Sequence, residues 1–192
     1  MRIIGGTCAG LILDVPKGLA VRPTPDLVRQ AIFNSLGGRV VGARVLELFG
    51  GTGALSLECL SRGAAVATCV ELSTKHARFI EQNFAATGLP NDRFHLRVQD
   101  VFTAIPQLAA ESAQLDLIVA DPPFGEKNVG RRSTSLSQRL LDDRELPELL
   151  APDGLFVLGH TRRDTLTLTP AWIQVKEMKH GDSMMRFLRS KA

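Results

Sequence analysis

The sequence predicts an α/β protein built on a doubly wound, mostly parallel seven-stranded sheet, and three observations predict it. From Arg44 onward, short apolar runs alternate with amphipathic segments. A glycine cluster, Gly50–Gly53, follows the first of those runs directly. Leu115–Ala120 is an almost unbroken apolar stretch, as in strands buried on both faces of a parallel sheet. Strands that alternate with helices pair in parallel and bury both sheet faces beneath the helices.

Taken in order, Met1–Ile4 and Leu11–Val15 are β-like runs around the turn-rich Gly5-Gly6-Thr7, predicting a hairpin or extended arm. Thr24-Pro25-Asp26 opens a helix, with Thr24 as N-cap, Pro25 at the first position and Asp26 at the positive dipole end. Leu27, Val28, Ala31, Ile32 and Leu36 form its apolar face, and Gly37-Gly38 ends it. Val45–Leu48 is a strand, followed by the glycine turn and a helix to about Arg62, stopped by Gly63. The strand Ala65–Val70 precedes a helix capped by Ser73 and ended by Gly88. Phe94–Val98 is a short strand before a weak helix at Phe102–Ala110, and Leu115–Ala120 follows. After a polar loop at 125–137, the spacing predicts one helix over Gln138–Leu150 and a turn at Asp153-Gly154 into the strand Leu155–Leu158. Trp172–Met178 and Met184–Leu188 flank His180-Gly181-Asp182-Ser183 as an antiparallel hairpin. The expected organisation is one domain over residues 1–192, with residues 1–40 a hairpin-and-helix extension and 41–192 a Rossmann-like core.

Composition narrows the function classes. With 192 residues, 44% hydrophobic and 22% charged, the chain can bury a full core. Cys8, Cys59 and Cys69 share no metal-like spacing and the four histidines are scattered, so no metal is expected. No apolar run approaches the roughly 18 residues of a membrane span, and no apolar leader opens the sequence, so a cytoplasmic location is expected. Net charge is +3, unevenly spread. Residues 1–44 hold six basic and two acidic groups, 45–122 five and nine, and 123–192 twelve and nine. Basic ends around an acidic middle suit a polyanion beside a catalytic centre, as they also suit an ordinary solvated surface.

In a doubly wound sheet, ligands bind beyond the carboxyl ends of the strands. Glu71, Asp100 and Asp121 stand at or just past such ends, and Glu47 lies near the end of the first strand. Glu47-Leu48-Phe49-Gly50-Gly51-Thr52-Gly53 lets backbone approach a ligand closely. It departs from G-x-G-x-x-G, with Ser56 at the third glycine position, and Glu47 would repel a pyrophosphate while attracting an ammonium or sulfonium group. Glu71 can accept both ribose hydroxyls of any adenosine cofactor. Asp100-Val101 can bond an adenine amine and pack its ring, or Asp100 can cap the following helix. Asp121-Pro122-Pro123-Phe124 fixes an extended backbone and removes two N–H donors. It leaves a carboxylate, carbonyl acceptors and an aromatic face: acceptors to orient an amino group, and a ring to stack on a base or plug the core.

These positions resemble the class I methyltransferases, in particular those whose [D/N]-P-P-[F/Y] tetrapeptide serves methylation of amino nitrogens. Met1-Arg2-Ile3-Ile4-Gly5-Gly6 and Arg22-Pro23-Thr24-Pro25-Asp26-x-Val28-Arg29-x-Ala31-Ile32-Phe33-Asn34-x-Leu36 look like the bacterial enzymes that methylate N2 of a guanine in 16S ribosomal RNA. The resemblance covers most of residues 1–125. It departs at Ala9-Gly10-Leu11-Ile12-Leu13, where that family is usually basic, and at His180-Gly181, where an aromatic-glycine pair is usual.

The resemblance implies S-adenosyl-L-methionine as cofactor, held by Arg22, Thr24, Glu47, Phe49, Gly50, Gly51, Gly53, Glu71, Leu72, Asp100, Val101 and Asp121. It implies Asp121, Pro122, Pro123 and Phe124 as the catalytic group, with Arg22, Thr24, Asp26, Arg29 and Asn34 closing over cofactor or substrate phosphate. The implied partner is 16S ribosomal RNA or the small ribosomal subunit, bound by a monomer through the arm and through Lys127, Arg131 and Arg132. Three other readings share part of the pattern. They are an amino-methyltransferase of DNA or protein, a nicotinamide oxidoreductase that leaves the Asp-Pro-Pro-Phe step idle, and a binding module without turnover.

Overall fold

The computed structural model describes residues 1–16, 24–123, 128 and 131–191, in two compact units, Met1–Ala104 and Ile105–Ala192. The fold class is the predicted one: a seven-stranded, mostly parallel sheet with an antiparallel carboxyl-terminal hairpin.

The first unit holds α1 (Asp26–Leu36), β1 (Arg44–Leu48), α2 (Ala54–Ser61), β2 (Val66–Glu71), α3 (Thr74–Thr87) and β3 (Phe94–Val98), and α4 (Val101–Ala110) begins within it. Its strands are parallel in the order β3-β2-β1, with Leu48 opposite Val70 and Glu71 opposite Val98. Ser73 caps α3 by accepting the His76 amide at 3.3 Å, and left-handed Gly88 ends it, both as predicted. α2 is buried along its whole length, which explains its lack of a polar face.

α1 differs from expectation in two ways. Its N-cap is Pro25 and no side chain caps it, so Thr24 lies one residue before the cap. Leu27 is 72% exposed, and the buried face is Val28, Ile32, Phe33 and Leu36. That face leaves room for Arg29, which is fully buried. Arg29 Nη2 donates to the Arg2 carbonyl and to Asp26 Oδ1, both at 2.6 Å, so it anchors the amino-terminal arm instead of facing a phosphate. Glu58 in α2 completes the anchor: its carboxylate accepts from the Ile4 and Gly5 amides and from Arg62 Nε at 2.7–2.8 Å. The arm is narrower than a full hairpin, with a single bridge between Arg2 and Ile12.

The second unit holds β4 (Leu115–Ala120), α5 (Leu136–Asp142), β5 (Leu150–Thr161), β6 (Trp172–His180) and β7 (Ser183–Ser190), in sheet order β4-β5-β7-β6. β4 and β5 are parallel, with Ala120 opposite Leu158, whereas β7 is antiparallel to β5 and β6. Phe156 and Trp172 pack at 5.2 Å between ring centroids, and the indole N–H donates to the Leu141 carbonyl.

The single helix expected over Gln138–Leu150 is broken. α5 ends at Asp142, and the Asp143 carboxylate turns the chain by accepting the Glu145 and Leu146 amides at 2.9 and 2.8 Å. Pro147 has no N–H to extend an α-helix, so one 3₁₀ turn, Leu146–Leu149, follows. Asp153-Gly154 is no turn either. It lies inside β5, where the register against β4 jumps from Leu115↔Leu150 to Leu117↔Leu155, a bulge that Gly154 permits by its close approach to the Leu115 carbonyl.

Because Glu58 accepts two amides of the arm and Arg62 Nε and lies 4.0 Å from buried Arg29, Glu58→Ala is expected to destabilise the protein by about 3–5 kcal/mol. Urea unfolding would measure the loss. Hydrogen exchange should show faster opening at Ile4 and Gly5 than at α3 amides.

Candidate functional site

In the first unit, the carboxyl ends of β1, β2 and β3 carry a strained turn and three carboxylates. Phe49 has φ 62°, the left-handed region that a residue with a Cβ rarely occupies, and Gly51 and Gly53 lie there too. At Gly50 the constraint is space, since a Cβ would overlap Cys69 Sγ and press on Ile80 Cδ1 at 3.1 Å. The turn is held by the Gly50 amide on the Val70 carbonyl and the Gly53 amide on the Gly50 carbonyl.

Glu47 is enclosed beneath this turn. Its carboxylate accepts the Leu55 and Ser56 amides, at 3.3 and 2.9 Å, at the positive end of α2. Burial pushes its pKa from 4.5 to about 7, outweighing the hydrogen bonds from Ser56 and Leu55 that favour the charged form. Glu47 thus holds the turn to α2, where the sequence suggested a charge facing a ligand.

Glu71 sits at the rim. One carboxylate oxygen accepts the Gly51 amide at 2.8 Å, and the other accepts the Ser73 amide at 2.8 Å and lies 3.2 Å from His76 Nδ1. It ties the glycine turn to α3 and keeps lone-pair capacity for further donors. Beside it, Leu72 is 67% exposed and Val98 is also exposed, so apolar surface stands open at adjacent strand ends. Asp100 caps α4 through the Phe102 amide at 2.8 Å, Val101 is buried, and the Phe49 and Phe102 rings meet edge to face. Asn34 is exposed. Arg22 lies outside the described residues.

Sequence reading missed Asn83. It is buried, accepts the Asp14 amide at 2.7 Å and donates to the Asp14 and Thr52 carbonyls, joining the amino-terminal arm to the glycine turn. The available signal was a polar residue on the apolar Ala77, Ile80, Phe84 face of α3.

In the second unit, Asp121, half-buried Pro-side neighbour of β4, is followed by buried Pro122 and exposed Pro123. Phe124 and Lys127 lie outside the described residues. A Cβ at Gly159 would overlap Asp121 Oδ1 and press on Met185 Cε at 3.1 Å. The Asp121 carboxylate therefore seats directly on the backbone of β5, and Ser137 Oγ fixes that backbone by donating to the Gly159 carbonyl at 3.1 Å. Arg131 and Arg132 are exposed, Arg132 pairing with Asp142 at 2.6 Å. No helix among the described residues is long and apolar enough to cross a membrane.

Two outcomes follow from this packing. For Glu47 the folded pKa is raised, so its favourable contribution to folding is complete below about pH 4.5 and is lost as pH rises through about 7. Glu47→Gln should remove that slope, so the stability difference between variant and wild type shifts by about 2–3 kcal/mol in the variant's favour between pH 5 and 8. Equilibrium unfolding at the two pH values would measure it. Gly159→Ala should cost about 1–3 kcal/mol of stability through overpacking against Asp121, read by the same method.

The chain matches the model of the family described as "Conserved hypothetical protein 95" over residues 1–189. It is 39% identical over 124 residues to "Ribosomal RNA small subunit methyltransferase D" of Escherichia coli (strain K12), covering 65% of this chain and 60% of that relative's length. To "Putative rRNA methyltransferase YlbH" of Bacillus subtilis (strain 168) it is 32% identical over 171 residues, covering 88% of this chain and 87% of the other. Among solved structures, "Putative methyltransferase yhhF from Escherichia coli" superposes with a TM-score of 0.78 at 30% identity, covering 100% of this chain and 98% of that one. Matched from its amino-terminal arm to its last strand, the chain belongs to the Conserved hypothetical protein 95 family.

Proposed function

We propose that the chain uses S-adenosyl-L-methionine to methylate the exocyclic N2 amine of a guanine in 16S ribosomal RNA. The observation that carries this reading is Asp121, seated on Gly159 at the start of an Asp-Pro-Pro step, in a chain similar to proteins named as ribosomal RNA methyltransferases.

Features of the first unit support cofactor binding there. Left-handed Phe49, Gly51 and Gly53 shape a turn without obstructing side chains, Glu71 offers acceptor capacity for ribose hydroxyls, and exposed Leu72 beside Val98 offers apolar surface for an adenine ring. Thr24, Asp100 and Val101 are assigned to the same site on the resemblance. When bound, the cofactor supplies a methyl group activated by a sulfonium. The chain's own work is then to hold and polarise the amine. Unstacking the target guanine costs a few kcal/mol, which stacking on Phe124 offsets. Asp121 and the Pro122 carbonyl accept the two N2 hydrogens, turning the nitrogen lone pair out of conjugation with the ring and stabilising the positive charge that develops. With the cofactor bound, that lone pair would take the methyl while the sulfur would keep the bonding pair as a neutral thioether, and the nitrogen proton would then leave to water. The basic segments at residues 1–44 and 123–192 supply electrostatic attraction for RNA.

Small ribosomal subunits lacking the modification, incubated with the protein and methyl-labelled cofactor, should yield labelled N2-methylguanosine on digestion. Asp121→Ala should slow single-turnover transfer about 10²–10³-fold with little change in cofactor affinity. Label in another base, in DNA or in protein would overturn the substrate assignment. An unchanged Asp121→Ala rate would remove Asp121 from the chemistry.

A further inference from the structure

In the second unit β4 and β5 run parallel, β7 returns against β5 with Ser183 opposite Thr161, and β6 returns against β7 with His180 opposite Ser183. The turn after β5 and the tip of the β6–β7 hairpin therefore stand at the same end of the strands as Asp121, which follows β4. Backbone hydrogen bonds tie these segments together. The Arg162 amide donates to the Asp182 carbonyl at 2.7 Å, and the Asp164 amide donates to the Thr161 carbonyl at 3.0 Å. Asn128 accepts the Thr165 amide at 2.9 Å and donates to the Thr165 and Arg131 carbonyls at 3.2 and 3.1 Å, which sets Arg131 beside the same turn.

Charge is segregated along these strands. Among the described residues, exposed Arg131, Arg162, Arg163 and Lys179 stand at this end with exposed Asp182. Arg132 is turned instead to Asp142, the last residue of α5. At the opposite end, where β4 and β5 begin and β7 stops, exposed Glu111, Glu145, Glu148 and Asp153 outnumber exposed Arg144 and Lys191. The ion pairs at the basic end are loose: Arg163 lies 3.9 Å from Asp182, and Lys179 lies 3.6 Å from Glu177. Exposed pairs of this kind contribute about 0–1 kcal/mol, so their cations exchange readily to a stronger anion. A unit positive at one end of its strands and negative at the other orients a polyanion across the positive end.

We propose that Arg131, Arg162, Arg163 and Lys179 form a phosphate-binding rim that grips the RNA backbone flanking the target nucleotide. The inference rests on the ribosomal RNA reading given above and deepens it by naming the face that takes the backbone. Each guanidinium presents a planar fork of donors that matches two phosphate oxygens, and the Lys179 ammonium adds a point charge. The hydrogen bonds of Arg162 to Asp182 and of Asn128 to Thr165 hold the turn and the hairpin tip in place, so little backbone has to be ordered on binding. Such contacts position the RNA and carry no base information, which leaves base choice to the residues that meet the base. Every phosphate neutralised releases condensed counterions, so the rim's contribution is read directly from the salt dependence of binding.

The test compares two double variants that remove the same charge from opposite ends of the unit, Arg162→Gln/Lys179→Gln and Arg144→Gln/Lys191→Gln. Binding of each to unmodified 16S ribosomal RNA transcript is measured over a series of salt concentrations. The first double variant should bind roughly 10- to 50-fold more weakly at 0.1 M salt, with the slope of log affinity against log salt shallower by roughly 1–2. The second should keep the wild-type slope, and so should the charge-preserving Arg162→Lys/Lys179→Arg. Thermal midpoints should match wild type in all three, since the replaced side chains are exposed. Equal slopes for the two charge-removing variants would overturn the rim while leaving the RNA reading intact. Binding of poly-glutamate as tight as that of RNA at the same salt would also overturn it, by marking a patch that attracts any polyanion. A wild-type protein that does not bind the transcript at all would defeat the RNA reading itself, and this inference with it.

Discussion

Everything in the first unit hangs on a carboxylate buried at the end of β1. Glu47 receives the two leading amides of α2, so the glycine turn between strand and helix is pinned from below. From the other side, Glu71 takes the Gly51 amide and the start of α3. Two acidic side chains therefore clamp one strained turn, and that clamp lets Phe49 persist in a backbone region that costs about 1–2 kcal/mol. Further along α2, Glu58 repeats the device by gathering Arg62 and the arm amides of Ile4 and Gly5. Helix α2 is a buried rod with carboxylates at both ends of its role, one shaping the turn and one holding the arm. Asn83 closes the circuit, since it bonds both the arm at Asp14 and the turn at Thr52.

The features legible in the sequence were those written in local chemistry. Apolar periodicity located every strand, Ser73 and Gly88 bounded α3, and the glycine turn and strand-end acids stood where they were expected. Local chemistry also explains the failures that were avoidable. Asp143 and Pro147 together spell a helix break, but the apolar residues Leu140, Leu141, Leu146 and Leu149 carry a helical period straight across it. Each of those leucines is buried, so the period was a true record of burial and a false record of conformation.

Other features had no local signal. Gly159 reads as an ordinary small residue in a strand, and its purpose appears only when Asp121 from the neighbouring strand is found resting on it. Arg29 matched a family pattern and invited a ligand-facing role, whereas its surroundings, Arg2, Asp26 and Glu58, are brought together from three separate stretches of chain. Glu47 lay in a motif that suggested a ligand-facing charge, but the direction of its side chain depends on α2 folding back over β1. Identity of a site residue is a one-dimensional property; its orientation is not.

The two units treat buried charge in opposite ways. In the first, both oxygens of Glu47 and of Glu58 accept hydrogen bonds, which tie the glycine turn and the arm to α2. In the second, Asp164 is buried and neither of its carboxylate oxygens has a hydrogen-bond partner among the described residues. A satisfied carboxylate stabilises the free chain and is indifferent to what arrives. An unsatisfied one subtracts from the stability of the free chain by the cost of taking it out of water.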